Sequence, residues 1–215
     1  MMMKQILPLA WNYNNINSFP ITEAVFSDGF FYASFQMMEV LKQYNPESEE
    51  EQHYQIKMLH LYNSKKEVAF TRQNIQAHFT ASAWIIDPKS YEILLLHHKK
   101  LNKWLQPGGH ADGEMDLERV SRKEAYEETG LEDLSLIIKG IFDIDIHLIP
   151  ENKGVPQHYH YDVRFAYFCN DRTRTQINSE SNKFQWIEIE KVKNLTDEPS
   201  ILRMVNKTKI MLDES

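Results

Sequence analysis

The stretch Leu105–Leu131, LQPGGHADGEMDLERVSRKEAYEETGL, decides how this chain is to be read. Its second half places Glu124, Glu127 and Glu128 within five residues. The pattern predicts a helix from about Leu117 to Thr129, with Asp116 as N-cap and Gly130 just past its end. Residues at i, i+3 and i+4 share a helix face, so the three carboxylates converge. Like charges at that spacing repel by roughly a few tenths of a kcal/mol per pair. A hard divalent cation removes the cost, because Mg²⁺ takes carboxylate oxygens and leaves other positions to water or phosphate. The competing reading is a solvated acidic face. The upstream Pro-Gly-Gly favours a ligand, since glycine lets backbone approach a bound group closely.

Outward from this stretch, two strand-like runs precede it. HFTASAWII (78–86) and YEILLLHH (91–98) are separated by the turn signal DPKS. The glycine-rich segment itself reads as a loop. Beyond the helix, LSLIIKGIFDIDIHLI (134–149) and HYHYDVRFAYFC (158–169) read as long strands joined by a polar loop. FQWIEI (184–189) reads as a last strand, and EIEKVKNL and PSILRMVNKTKIML as closing helices. Strands interleaved with helices indicate an α/β or α+β class. Before residue 70 the texture differs. ITEAVFSDGFFYASFQMMEVLKQY (21–44), weakened by Gly29, and EEEQHYQIKMLHLYNS (49–64) carry helical spacing. The expected division is therefore a helical extension, 1–70, and a catalytic domain, 71–215. Phe30, Phe31, Tyr32 and Phe35 read as core of the extension rather than as a base-stacking platform.

The 215 residues carry a net charge of −7, with a pI near 5.7. An acidic chain lacks the Lys and Arg surplus that a nucleic-acid polymer requires. No apolar run approaches the roughly 18 residues of a membrane span. The start, MMMKQILPLAW, lacks a signal-peptide core. The single cysteine, Cys169, excludes an internal disulfide and fits a reducing compartment, and its apolar neighbours mark it as a buried thiol. These features set the expectation of a soluble, cytoplasmic protein.

GGHADGEMDLERVSRKEAYEETGL resembles the box of the Nudix hydrolase family: Gly, five residues, Glu, seven residues, then Arg-Glu-apolar-x-Glu-Glu-x-Gly-apolar. Counted from Gly109, Glu124, Ala125, Glu127, Glu128, Gly130 and Leu131 match. Two positions depart. Lys123 stands where the family has Arg, and loses the planar five-donor fork. Arg122 lies about 100° round the helix and should not substitute. Met115 holds the place of the first Glu, with Glu114 one residue early. The sequence is similar to a subgroup carrying PGGHADG. The resemblance covers about residues 78–193.

It implies a Nudix-like α/β/α sandwich with a mixed sheet. It also implies hydrolysis of a diphosphate linkage in a small, nucleoside-diphosphate-type substrate, using Mg²⁺ or Mn²⁺. Glu124 and Glu128 would be metal ligands, with Glu127 as a third ligand or holder of a metal-bound water. The Gly109 carbonyl would be a further ligand. Lys123 would orient the glutamates, Glu114 would serve the loop, and Glu180 is a candidate late carboxylate. A homodimer through the extension fits the same frame. Two other readings stay open: a Nudix-fold binder that has lost turnover, and an isomerase of the isopentenyl diphosphate kind, which needs a cysteine in the site.

Nine histidines are many for this length. On a strand, His158, His160 and Asp162 point to one face, with Val163, Phe165 and Tyr167 on the other. With His147 they make a candidate second metal or phosphate site, suited to Mn, Fe or Zn more than Mg; a hydrogen-bonded polar strand face is the alternative. His110 is placed to touch substrate, and His78 to approach the same cleft. Arg164 would pair either with a substrate phosphate or with an acidic neighbour, and Arg72 would reach the cleft from the N-terminal side. His97 and His98 read as an exposed strand end.

Overall fold

The computed structural model describes residues 37–152 and 154–213. The expectations placed on Gly29, Phe30, Phe31, Tyr32 and Phe35 lie outside that range.

At the centre of the fold are two long strands, β1 (Ala77–Ile86) and β7 (His158–Cys169). They run parallel, paired from Ala77 with Tyr159 to Ile86 with Phe168. All ten β1 residues are buried, as expected of a strand covered on both faces. β2 (Glu92–His98) and β4 (Gly108–His110) pair antiparallel with β1. β5 (Leu134–Leu136) and β6 (Asp143–Ile149) pair antiparallel with β7. β3 (Lys103–Leu105) and β8 (Ser181–Glu188) pair with β2 and complete an eight-stranded mixed sheet.

Alternation along β1 divides the core. Phe79, Ala81, Ala83 and Ile85 pack with Leu117, Val120 and Ala125 of α2 (Leu117–Thr129). Trp84 and Ile86 pack with Ile201, Met204 and Val205 of α3 (Pro199–Asp213). The Trp84 indole donates to Thr208 Oγ1 at 2.8 Å, so its buried N–H keeps a partner. A mixed sheet between helices is the expected sandwich.

α2 follows its sequence signals closely. Asp116 Oδ1 accepts from the Arg119 N–H at 3.0 Å, and Gly130 takes φ +70° while its N–H donates to Tyr126 O. A side chain at 130 would be strained there. Ahead of the sheet, α1 (Glu49–Lys65) is capped by Ser48, and a 3₁₀ turn covers Lys66–Phe70. Met58, Leu61 and Phe70 enter the core cluster that holds Phe79 and Phe165. Residues 37–70 thus share the sheet's core.

Two local expectations need correcting. The run 134–149 is two strands, β5 and β6, because the chain turns between them at Gly140, φ +107°. The glycine-rich segment is partly strand: Gly108, Gly109 and His110 pair with Ser82, Ala81 and Thr80. Gly108 is required by space, since a Cβ there would lie 2.2 Å from Ser82 Oγ and 2.9 Å from the Ala81 carbonyl.

Candidate active site

β4 and α2 bring the glycines to the glutamates. Gly109 pairs with Ala81 and so faces the α2 side of the sheet. A Cβ at 109 would lie 2.3 Å from Glu124 Oε2. The backbone N–H of Gly108 donates to Glu128 Oε2 at 3.2 Å. Lys123 Nζ stands 3.1 Å from Glu124 Oε1 and 3.4 Å from Glu127 Oε2, bridging two of the three carboxylates. Arg122 points elsewhere: it bonds Glu118 and the Leu134 carbonyl and lies over the Tyr167 ring. The two neighbours thus have separate partners, as residues one apart on a helix should.

The electrostatics are those of crowded acids. Burial raises the pKa of Glu124. Burial also pushes Glu128 up to about 8, and Glu124, Glu180 and Glu127 add to the rise against the Gly108 N–H. Glu180, immediately before β8, is therefore within electrostatic reach of Glu128. Three carboxylates with one bridging lysine, and a glycine cradle that a Cβ would fill, suit a hard cation such as Mg²⁺ or Mn²⁺.

Other expected residues fall differently. Glu114 accepts from the Asp116 N–H at 3.1 Å and pairs with Arg119 at 3.5 Å, so it braces the loop leading into α2. Met115 is buried in the core. His110, Asp112, Glu114, Arg119 and Lys123 line a depression beside the helix. Arg72 forks onto Asp112 with two 2.7 Å bonds, next to this depression. His97 and His98 are engaged at the end of β2, with Asn182 and with the Leu101 N–H.

Of the two readings of Arg164, the acidic neighbour is the one found. Arg164 is 2 % exposed and bonds Asp162 at 2.8 Å, Asp143 at 3.0 Å and Ser200 at 3.3 Å, with Asp145 at 3.2 Å. Enclosed by three carboxylates, it has no access to a substrate phosphate. Asp162 is corrected: its carboxylate takes Thr80, Ser82 and Arg164, not a shared site with histidines.

The histidines do gather, in another combination. His78, His110, His158 and His160 place one ring nitrogen each within 4.8 Å of all the others. His147 lies beside His160 but is held by Asp145 at 3.0 Å. Burial and the neighbouring imidazoles lower His160 to about 2; burial and Arg72 lower His110 to about 4. The sequence places His78 only near the cleft of His110, because its partnership with His160 depends on the parallel β1–β7 register.

A mixed sheet between helices, with a glycine strand presented to a carboxylate-bearing helix, defines the class of protein. The NUDIX domain family matches residues 76–207, and the chain belongs to that family. Among solved structures it is similar to a Caenorhabditis elegans Ap4A hydrolase binary complex, at 20% identity over 64% of this chain and 98% of that one, TM-score 0.50. It is also similar to the MutT protein of Methanosarcina mazei Go1, at 19% identity over 65% and 95%, TM-score 0.49. Identities this low speak to the fold alone. No curated protein matches the chain. No helix among the described residues is long and apolar enough to cross a membrane.

Proposed function

We propose that this Nudix protein is a metal-dependent hydrolase that cleaves a diphosphate linkage in a small nucleoside-diphosphate-type molecule. The observation that carries the reading is the placing of Glu124 and Glu128 against the Gly108–Gly109 strand, with Glu127 joined to Glu124 by Lys123. Glu124 and Glu128 are the first metal ligands, with the Gly109 carbonyl. Glu127, half exposed, is the third ligand or holds a metal-bound water. A bound Mg²⁺ or Mn²⁺ supplies charge neutralisation on the diphosphate and a more acidic water.

The chain's own groups do the rest. Lys123 fixes the carboxylates of Glu124 and Glu127 at one spacing. Glu128, held towards its protonated form by burial, would release that proton to solvent on ligating the cation. Glu180, beside Glu128, is the late carboxylate that takes a proton from the attacking water. Glu114 keeps the loop in place by holding Arg119, and the depression next to Lys123 receives the phosphates. A small, non-polymeric substrate, a cytoplasmic location and a homodimer through the N-terminal extension belong to the same proposal.

Of the rival readings, the isomerase fares worst: Cys169 is buried in the β5–β7 pair and burial raises its thiol pKa. A binder without turnover is favoured by the departures at Lys123 and Met115 and opposed by the three intact helix glutamates. The test is turnover with Mg²⁺ or Mn²⁺ in wild type against Glu128→Gln. Product formation that persists in the variant contradicts the assignment.

A further inference from the structure

We propose that His78, His110, His158 and His160 form a binding site for one transition-metal ion of the zinc class, separate from the carboxylate site. The proposal does not depend on the hydrolase reading. The four rings come from three strands: His78 on β1, His110 on β4, and His158 and His160 on β7. The parallel register sets His78 opposite His160, and the antiparallel register sets His110 opposite Thr80, two residues along β1. Alternation then puts His110 on the sheet face opposite to that of Gly109. The imidazoles and the glutamates thus lie on opposite sides of one short strand.

Three details point to a metal rather than to a polar stack. First, His78 is 4 % exposed, and its Nε2 has no hydrogen-bond partner. A buried ring nitrogen left in that state is uncommon and needs an explanation. Second, the outer nitrogens are tied back. His78 Nδ1 donates to the Asn74 carbonyl at 3.2 Å and His158 Nδ1 donates to the Pro156 carbonyl at 2.8 Å. A carbonyl cannot donate, so the neutral rings carry their proton on Nδ1 and turn the bare Nε2 inward. Metal-ligating histidines are oriented this way, by a hydrogen bond from the other nitrogen. Third, His158 Nε2 and His160 Nε2 are 3.3 Å apart, within hydrogen-bond reach of each other and at the spacing of two ligands on one ion. Two imidazole nitrogens on one tetrahedral zinc, at bonds of about 2.0–2.1 Å, stand roughly 3.3–3.4 Å apart. Side-chain rotation closes the wider pairs.

The donor set selects the ion. Imidazole suits Zn, Cu, Fe and Ni, whereas Mg²⁺ and Ca²⁺ require oxygen. The nearby carboxylates are engaged elsewhere, Asp145 with His147 and Asp162 with Thr80, Ser82 and Arg164. An ion here would tie β1, β4 and β7 together and fix the strand whose Gly109 faces Glu124.

The experiment uses full-length protein without a polyhistidine tag. Zn²⁺ affinity is measured by competition with a chromogenic chelator under excess Mg²⁺, and Co²⁺ is added to read the ligand field. The expected result is one Zn²⁺ per chain, intense tetrahedral-type Co²⁺ bands, and unchanged affinity in Glu128→Gln. His78→Ala/His160→Ala should weaken binding by about 100-fold or more. If that variant fails to fold by circular dichroism, His110→Asn and the wild-type Co²⁺ spectrum carry the test. Wild type that binds no stoichiometric Zn²⁺, or binding that survives loss of the histidines or vanishes in Glu128→Gln, overturns the proposal.

Discussion

Gly109 and Glu124 are so close that residue 109 has no room for a side chain: a Cβ would lie 2.3 Å from Glu124 Oε2 and 2.5 Å from its carboxyl carbon. The obstructed atoms belong to the end of a flexible side chain, so the fold can yield where the site cannot. Gly109→Ala is expected to fold with a near-normal Tm while swinging Glu124 aside. A misplacement on the order of 1 Å costs about 100-fold in rate. Measuring kcat and Tm together checks this; an alanine variant with wild-type kcat removes Glu124 from the metal site.

Lys123 bridges Glu124 and Glu127. Lys123→Ala should lower metal affinity or kcat by roughly 10–100-fold, as loss of an outer partner of metal ligands does. Lys123→Arg should restore most of it, because a guanidinium spans the same two acids with more donors. Isothermal titration with Mn²⁺ beside steady-state kinetics reads both. Equal behaviour of Ala, Arg and wild type would reduce Lys123 to a surface lysine.

Glu128 sets a pH dependence with a definite sign. Its folded pKa is raised to about 8, above an ordinary value of about 4.3, so the metal-free native state holds more protons than the unfolded chain between those pH values. Stability without metal must then fall as pH rises through that window. Glu128→Gln removes this slope and should raise the metal-free Tm at pH 8–9 by a few degrees, about 2–4 °C per kcal/mol for a chain of this size. Mg²⁺ should reverse the order by stabilising wild type more. Tm measured from pH 5 to 9, with and without Mg²⁺, checks this; parallel curves for the two proteins would contradict it.

Arg164 separates structure from substrate binding. Arg164→Met leaves Asp143, Asp145 and Asp162 without their buried cation, which costs about 3–5 kcal/mol. That corresponds to roughly 10 °C or more in Tm. The surviving folded enzyme should keep its KM. A raised KM with an unchanged Tm would mean that the guanidinium reaches substrate after all.

The glutamate-bearing helix was legible because its signals are local. Asp116, the three glutamates and Gly130 lie in one continuous stretch, and cap, face and stop follow from spacing alone. The central strands were legible from their apolar content. What the sequence did not reveal depends on pairing between distant segments. Arg164 sits in an alternating polar strand start and looks available; its enclosure arises only when β6 brings Asp143 and Asp145 beside it. His78 joins His160 because β1 and β7 run parallel, a relation that no local pattern encodes. The break within 134–149 was missed because its apolar content is continuous across Gly140.

The most direct measurement is product analysis with purified protein, Mg²⁺ or Mn²⁺, and a panel of diphosphate compounds. The panel would hold ADP-ribose, NADH, dinucleoside polyphosphates, nucleotide sugars, CoA and nucleoside triphosphates, with Glu128→Gln alongside. The account predicts metal-dependent cleavage at a diphosphate bond of at least one compound, lost by about 100-fold or more in the variant. Turnover that needs no divalent metal, or that Glu128→Gln retains in full, would contradict it.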